Sequence, residues 1–185
     1  IVTVGSEAEL ITTFGAPDLT TNKSFLVAAN YLMYSQALRV VRAAAGQLNA
    51  DDAGGIANVL IKNKDDYDSK AGFPSGSTWA AKYGGTLGNA LKVEVCSSGG
   101  GFTGWAHEGL FSVAPGTSSF AAALGITNDE LHIVVSDATG AITGTVDTVL
   151  EIYCHVSQLA DAKKTNGANN YYKDVLNTQS AWVWW

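Results

Sequence analysis

Three glycines, Gly99, Gly101 and Gly104, follow the apolar run 91–96 at the spacing G-x-G-x-x-G. Between a strand and a helix, that spacing lets backbone amides close on a pyrophosphate. Here the following residues, 105–115 (WAHEGLFSVAP), contain Gly109 and Pro115 and offer no long amphipathic helix. A flexible loop between strands is the expected structure. His107-Glu108 opens like the zinc-binding H-E-x-x-H helix, but the residue four past His107 is Phe111, and half a ligand pair binds no zinc. Asp65, Asp66 and Asp68 surround Tyr67 without the spaced oxygens, glycine and closing glutamate of a calcium loop, so they read as a solvated turn. Asp129-Glu130 reads as a turn before a strand. His132 falls within a strand, and His155 sits beside Cys154 at a strand end. Three scattered histidines and two cysteines read as neutral imidazoles and buried reduced thiols. A single Cys96–Cys154 bridge between adjacent strands is the alternative. No G-x-S-x-G elbow, P-loop lysine or carboxylate pair with a general-base histidine is present. The expectation is no catalytic residue, no cofactor-binding residue and no metal ligand.

The elements that would position these residues are legible from patterning. Residues 1–4 read as a strand. Ser6 and Glu9 form a capping box for a helix that buries Leu10, Ile11 and Phe14 and stops at Gly15, with Pro17 beyond. Thr21 or Asn22 caps a second helix whose apolar face is Phe25, Ala28, Ala29, Leu32 and Met33, flanked by Tyr31 and Tyr34. Residues 38–42 (LRVVR) read as a strand with its arginines on the polar side, and strand–helix–helix–strand suggests an α/β crossover unit. A small, polar stretch follows, with a linker expected over 45–56. A short strand is expected at 57–62 and a short element of unassigned type at 79–83, ending at Gly84-Gly85. A charged turn or short helix is expected at 63–68, and a loop at 72–77. Strong strands are expected at 91–96, 131–136 and 148–156, with a DATG turn at 137–140 and a short return at 141–143. A helix over 170–177 and a last strand over 181–185 complete the pattern. The predicted fold class is α/β or α+β, with mixed sheets and short helices.

Composition narrows the function classes. At 46% hydrophobic and 15% charged residues the chain can bury a core. A net charge of −6 repels phosphate and disfavours nucleic acid or anionic membranes as partners. No apolar run approaches the roughly 18–20 residues of a membrane span. The chain opens without Met in Ile1-Val2-Thr3-Val4 and stops at Trp182-Val183-Trp184-Trp185. An aromatic run of this kind is expected to be covered, so the chain reads as a piece of a longer polypeptide or as one whose end a partner buries. Five tryptophans and seven tyrosines read as core and contact anchors.

Several stretches in order resemble the N-terminal half of contractile tail sheath proteins of T-even-like phages. They are residues 2–14 (VTVGSEAELITTF), Gly15-Ala16-Pro17, the helix SFLVAANYLMYS, and Leu38-Arg39-Val40-Val41-Arg42-Ala43. Residues 83–89 (YGGTLGN) leading into LKVEV, and 127–133 (TNDELHI in its strand context) followed by DATG, are similar to later segments of the family. The resemblance implies a structural virion protein of the phage tail, assembled in the host cytoplasm, without catalytic residues or cofactors. Its implied partners are further copies of itself in a helical stack of rings, the tail tube protein, and baseplate and tail terminator proteins. Contraction would drive genome delivery. It further implies that 1–44 begin a split inner sheath domain and 57–185 form a protruding outer domain. Sheath proteins are longer, and neither their C-terminal half nor an N-terminal arm is found here. The stretch between Arg42 and Tyr83 is also too short for the extra domain some relatives insert. Two other readings stand beside it: the sheath of a bacterial contractile injection particle, and a nucleotide-binding enzyme domain using the Gly99–Gly104 loop. The helix face gives a packing expectation: Leu32→Asp buries an unpaired charge and costs on the order of 3–5 kcal/mol.

Overall fold

The Ser6 hydroxyl accepts from the Glu9 amide at 3.2 Å and starts helix α1 (Glu7–Phe14). The Glu9 carboxylate turns back one residue further than a standard capping box, to the Gly5 amide at 2.8 Å. Helix α1 stops at Gly15, whose φ of 89° only glycine adopts without strain. Helix α2 (Asn22–Leu32) follows, and strands β1 (Val2–Val4) and β2 (Leu38–Val40) bracket the pair. Strands β1 and β2 are antiparallel, with Val2 opposite Val40. The crossover expectation, which requires parallel strands, is therefore corrected. A two-helix connection reverses the chain once more than a one-helix crossover, so the second strand returns in the opposite direction.

The computed structural model describes residues 1–17, 19, 21–41, 43, 47–52, 60–70, 77–98 and 100–185. Arg42, Gly99, most of the strand expected at 57–62 and nearly all of the loop expected at 72–77 lie outside them. Residues 60–62 are not in a strand. The chain divides into two compact units, Ile1–Gln47 and Leu48–Trp185. The core of the first is Val4, Leu10, Phe25 and Ala29, with Ile11, Phe14, Ala28, Leu32 and Val40 packed around it. Met33 does not join this face and is 74% exposed. Helix α2 ends at Leu32, so the helical stripe stops one residue short of it.

Among the described residues the second unit holds two three-stranded antiparallel sheets and short helices, an α+β fold. One sheet pairs β3 (Asn49–Asp51), β4 (Ala80–Gly84) and β8 (Val183–Trp184) in the order β3-β4-β8. The other pairs β5 (Leu91–Ser97), β6 (Glu130–Asp137) and β7 (Thr148–Ser157), with β6 central. Strand β3 falls inside the stretch expected as a linker. The buried Asn49 holds it there: its amide donates to the carbonyls of Ala81 (2.8 Å) and Ile61 (3.3 Å), and its oxygen accepts from Ile61 N–H (2.8 Å). Helix α3 (Lys64–Ser69) is capped by Asn63, so the acidic cluster lies on a helix. Two further helices are α4 (Ser119–Ala123), which no sequence pattern announced, and α5 (Tyr172–Gln179). Residues 141–143 form turns, not the expected return strand.

The aromatic end is covered by the chain itself. Trp184 stacks on Tyr67 with centroids 4.6 Å apart, and the Lys82 ammonium lies 4.0 Å from its centroid. Trp182 meets Tyr83 edge-on at 6.0 Å, and Lys173 caps the Trp185 ring. Burial by a partner is thus not needed to account for this run. Cys96 is buried and Cys154 exposed, and both are free. They lie on β5 and β7, with β6 between, a separation of about 10 Å that exceeds disulfide reach.

Gly88 lies in the 3-10 turn Thr86–Ala90 that joins β4 to β5. A Cβ there would stand 2.7 Å from the Ala81 Cβ and 3.1 Å from the Ala50 Cβ. Gly88→Ala is expected to destabilise the second unit by about 1–3 kcal/mol through overpacking. Gly109→Ala, whose added methyl meets nothing within 4 Å, serves as the control. Equal melting temperatures for the two variants would contradict the packing. In the first unit Leu32 is half-buried, which lowers the expected effect of Leu32→Asp to about 1–3 kcal/mol. Leu10→Asp, at a residue 3% exposed, is expected to exceed it. Denaturant titration orders the two.

Candidate functional site

Strand β6 carries a histidine, His132, that is wholly buried. Opposite it the β6–β7 register slips: Leu131 faces Val156 and Ile133 faces Tyr153, so Cys154 and His155 together oppose His132. This bulge sets His155 at φ 51° and turns its backbone N–H onto the His132 ring, where Nδ1 accepts it at 3.2 Å. The other ring nitrogen, Nε2, donates to the Val113 carbonyl at 2.9 Å. Both nitrogens are satisfied only by the neutral Nε2–H tautomer. Burial, with His155 adding to it, lowers the His132 pKa below the ordinary imidazole value; the bond to Val113 opposes this only in part.

Residues 100–118 form a strap over this face of the sheet. Its aromatic rings close on His132: Phe111 stacks on the imidazole at 4.1 Å, and Phe102 meets it edge-on at 5.9 Å. Trp105 stacks on Phe111 at 5.5 Å. The strap is fixed at three other points. His107 Nε2 lies 2.8 Å from the Glu94 carboxylate, which also pairs with Lys92 at 3.0 Å. Burial raises the Glu94 pKa, but the hydrogen bonds from Lys92 and His107 outweigh it and hold the group below its ordinary value. Glu130 accepts from the Gly116 amide and lies 2.9 Å from His155 Nδ1. Asp129, 3% exposed, accepts from the Ser118 amide and hydroxyl at 2.8 Å each and from the Ser157 hydroxyl. Those bonds outweigh burial and keep its carboxyl below the ordinary range.

Along the sequence these groups are scattered. His132 and His155 in fact stand with ring centroids 4.5 Å apart, and His107 reaches the same layer through Trp105. Asp129 and Glu130, read as a turn, are the anchors of the strap. The bulge that joins them depends on cross-strand register, which a single sequence does not display. Gly99 lies outside the described residues, and the described part of that glycine spacing, residues 100–104, leads into no helix. Gly101 and Gly104 sit at φ 85° in open turns, and the next regular element is the three-residue 3-10 turn Glu108–Leu110, not a helix that could face a pyrophosphate. Among the described residues no group of three or more His, Cys, Asp or Glu is placed to hold a metal ion. The acidic residues of α3 are bridged by lysines, Lys64 to Asp68 and Lys70 to Asp66. An open groove of about 420 Å³ lies beside the strap, where Lys92, Glu94, His107 and Asp147 place charges of both signs. These contacts do the work of attaching a loop to a sheet.

Among the described residues no helix is long and apolar enough to cross a membrane. No protein-family model matches the chain, and no solved structure matches it. The chain spans 22% of the length of the curated relative it matches. Over 153 residues, 82% of its own length, it is 33% identical to the tail sheath protein of Salmonella phage ViI, and it is thereby a relative of a phage tail sheath protein.

Proposed function

We propose that the chain is part of a contractile tail sheath subunit of the T-even-like kind, assembling as helical rings around a tail tube. Contraction would be a rigid-body exchange between two packings of unequal free energy, driving genome delivery. The carrying observation is the match to a sheath protein, whose 153 residues exceed what the second unit alone holds and so draw on both units. The partners that follow are further copies of the subunit, the tail tube protein, and the baseplate and tail terminator proteins. The location is the tail of the virion, assembled in the host cytoplasm.

Within this reading residues 1–44 begin a split inner domain, and the second unit is the protruding domain. The boundary is better drawn at Gln47–Leu48 than through a linker at 45–56, because β3 is paired within the second unit. Exposed apolar side chains support the split. Leu26, Val27, Met33 and Tyr34 are 58%, 71%, 74% and 90% exposed on a unit whose core, among the described residues, is Val4, Leu10, Phe25 and Ala29.

The full-length gene product containing these residues is expected to form regular helical tubes in negative-stain electron microscopy. Absence of tubes at assembly concentrations overturns the sheath role. Residues 48–185 alone are expected to melt cooperatively, whereas residues 1–47 alone bind an apolar dye and melt without a transition. A cooperative transition for 1–47 alone overturns the split-domain assignment and leaves the sheath role standing.

A further inference from the structure

We propose that residues 109–115 are an acid-released segment, clamped to the sheet by neutral His132 and hinged between two anchors that acid does not loosen. The clamp is the pair of bonds already described: His132 Nε2–H to the Val113 carbonyl, and the His155 amide to His132 Nδ1. A second proton on the imidazole must go to Nδ1, the atom that now accepts the His155 N–H. Two donors would then face each other in a wholly buried site.

Among the described residues no carboxylate bonds to the His132 ring, and Glu130 favours a cation there only as the smallest of the influences on it. Strand β5 presents Cys96, a buried thiol whose pKa burial raises, at the position paired with His132. Strand β7 presents His155, a potential second cation 4.5 Å away. On β6 itself Glu130 is engaged by His155 and the Gly116 amide. The strap presents the rings of Phe102 and Phe111, with its titratable groups His107 and Glu108 tied elsewhere. His107 is paired with Glu94, and Glu108 accepts from the Gly104 amide. The stacked Phe111 face favours a cation, but the desolvation of an unpaired charge is the larger effect.

The flanking anchors respond the other way. Protonated His107 forms a full ion pair with Glu94, and the Glu130 bond to Gly116 persists while that carboxylate is ionised. Asp129 holds Ser118 from below its ordinary pKa. Acid therefore releases the middle of the strap and leaves its ends in place. The sign follows from linkage. His132 binds a proton more weakly when the strap is closed than at the ordinary value of about 6.5 it regains when open. Closure is fully favoured above that pH and loses ground as pH falls below it.

Hydrogen exchange between pH 7.5 and 5.5 on the 185-residue chain, corrected for intrinsic rates, tests this. Protection of 109–115 is expected to fall by up to about tenfold per pH unit below 6.5, while 104–108 and strands β5–β7 keep theirs. His132→Gln, which keeps a neutral donor near the Nε2 position, is expected to remove the pH dependence. Protection that is independent of pH, or lost together across the strap and the strands, overturns the proposal. So does a folded His132→Gln variant with an unchanged pH profile. If that variant does not fold, ¹⁵N shifts of the imidazoles in the unsubstituted chain decide. His132 is expected to stay neutral until 109–115 opens, and an imidazolium signal from the closed state overturns the clamp.

Discussion

Strand β6 is buried along its whole length from Leu131 to Asp137, polar residues included, and the organisation of the second unit follows from that. A strand with one wet face alternates; this one does not, because it is the central strand and is covered on both faces. Ile133 and Val135 pack into the same core as Leu176 of α5 and Trp182 ahead of β8. On the other face His132 meets the strap. Each buried polar group on the strand then requires an internal partner, since an unpaired one costs roughly 1–3 kcal/mol. His132 obtains its partners from Val113 and His155. Asp137 obtains its own from the loop it opens, accepting from Gly140, Ile142 and Thr143 amides and from the Thr143 hydroxyl.

The buried carboxylates thus do for the loops what apolar packing does for the strands. Residues 138–147 bury little of their own, yet Asp137 gathers three of their backbone amides, and Gly140 lies where a Cβ would stand 3.1 Å from the Thr145–Val146 backbone. Asp129 performs the same task between Ser118 and Ser157. Burial alone would raise both pKa values, and the charge-assisted bonds outweigh it, so each carboxylate stays ionised while it organises a loop.

What was legible in the sequence was what depends on local pattern. The α1 cap shows as a short polar signature, the face of α2 through Leu32 and the helix α5 as a period of 3.6, β5 as an alternation, and β6 and β7 as apolar β-branched runs. What was not legible depends on residues distant in sequence. Strand β3 looks like linker because its stability comes from Asn49 reaching across to Ile61 and Ala81. The five residues of α4 carry too few turns for a periodic signal, and Ser118, which caps them, is itself positioned by Asp129. The histidine layer stayed hidden for the most specific reason. It exists because two residues of β7 oppose one of β6, and a bulge is invisible until the register is known.

The two units also differ in how much contact they leave unmade, and this bears on assembly. The aromatic end of the second unit offers less than its composition suggests, because Trp182, Val183 and Trp184 are all buried against their own chain. The first unit is the opposite case. Among its described residues the core is Val4, Leu10, Phe25 and Ala29, while the outer side of α2 shows Leu26, Val27 and Tyr31. A unit of this size buries too small a fraction of its surface to be more than marginally stable by itself. Under the proposed sheath role, apolar contact with further sheath sequence therefore falls to the outer side of α2.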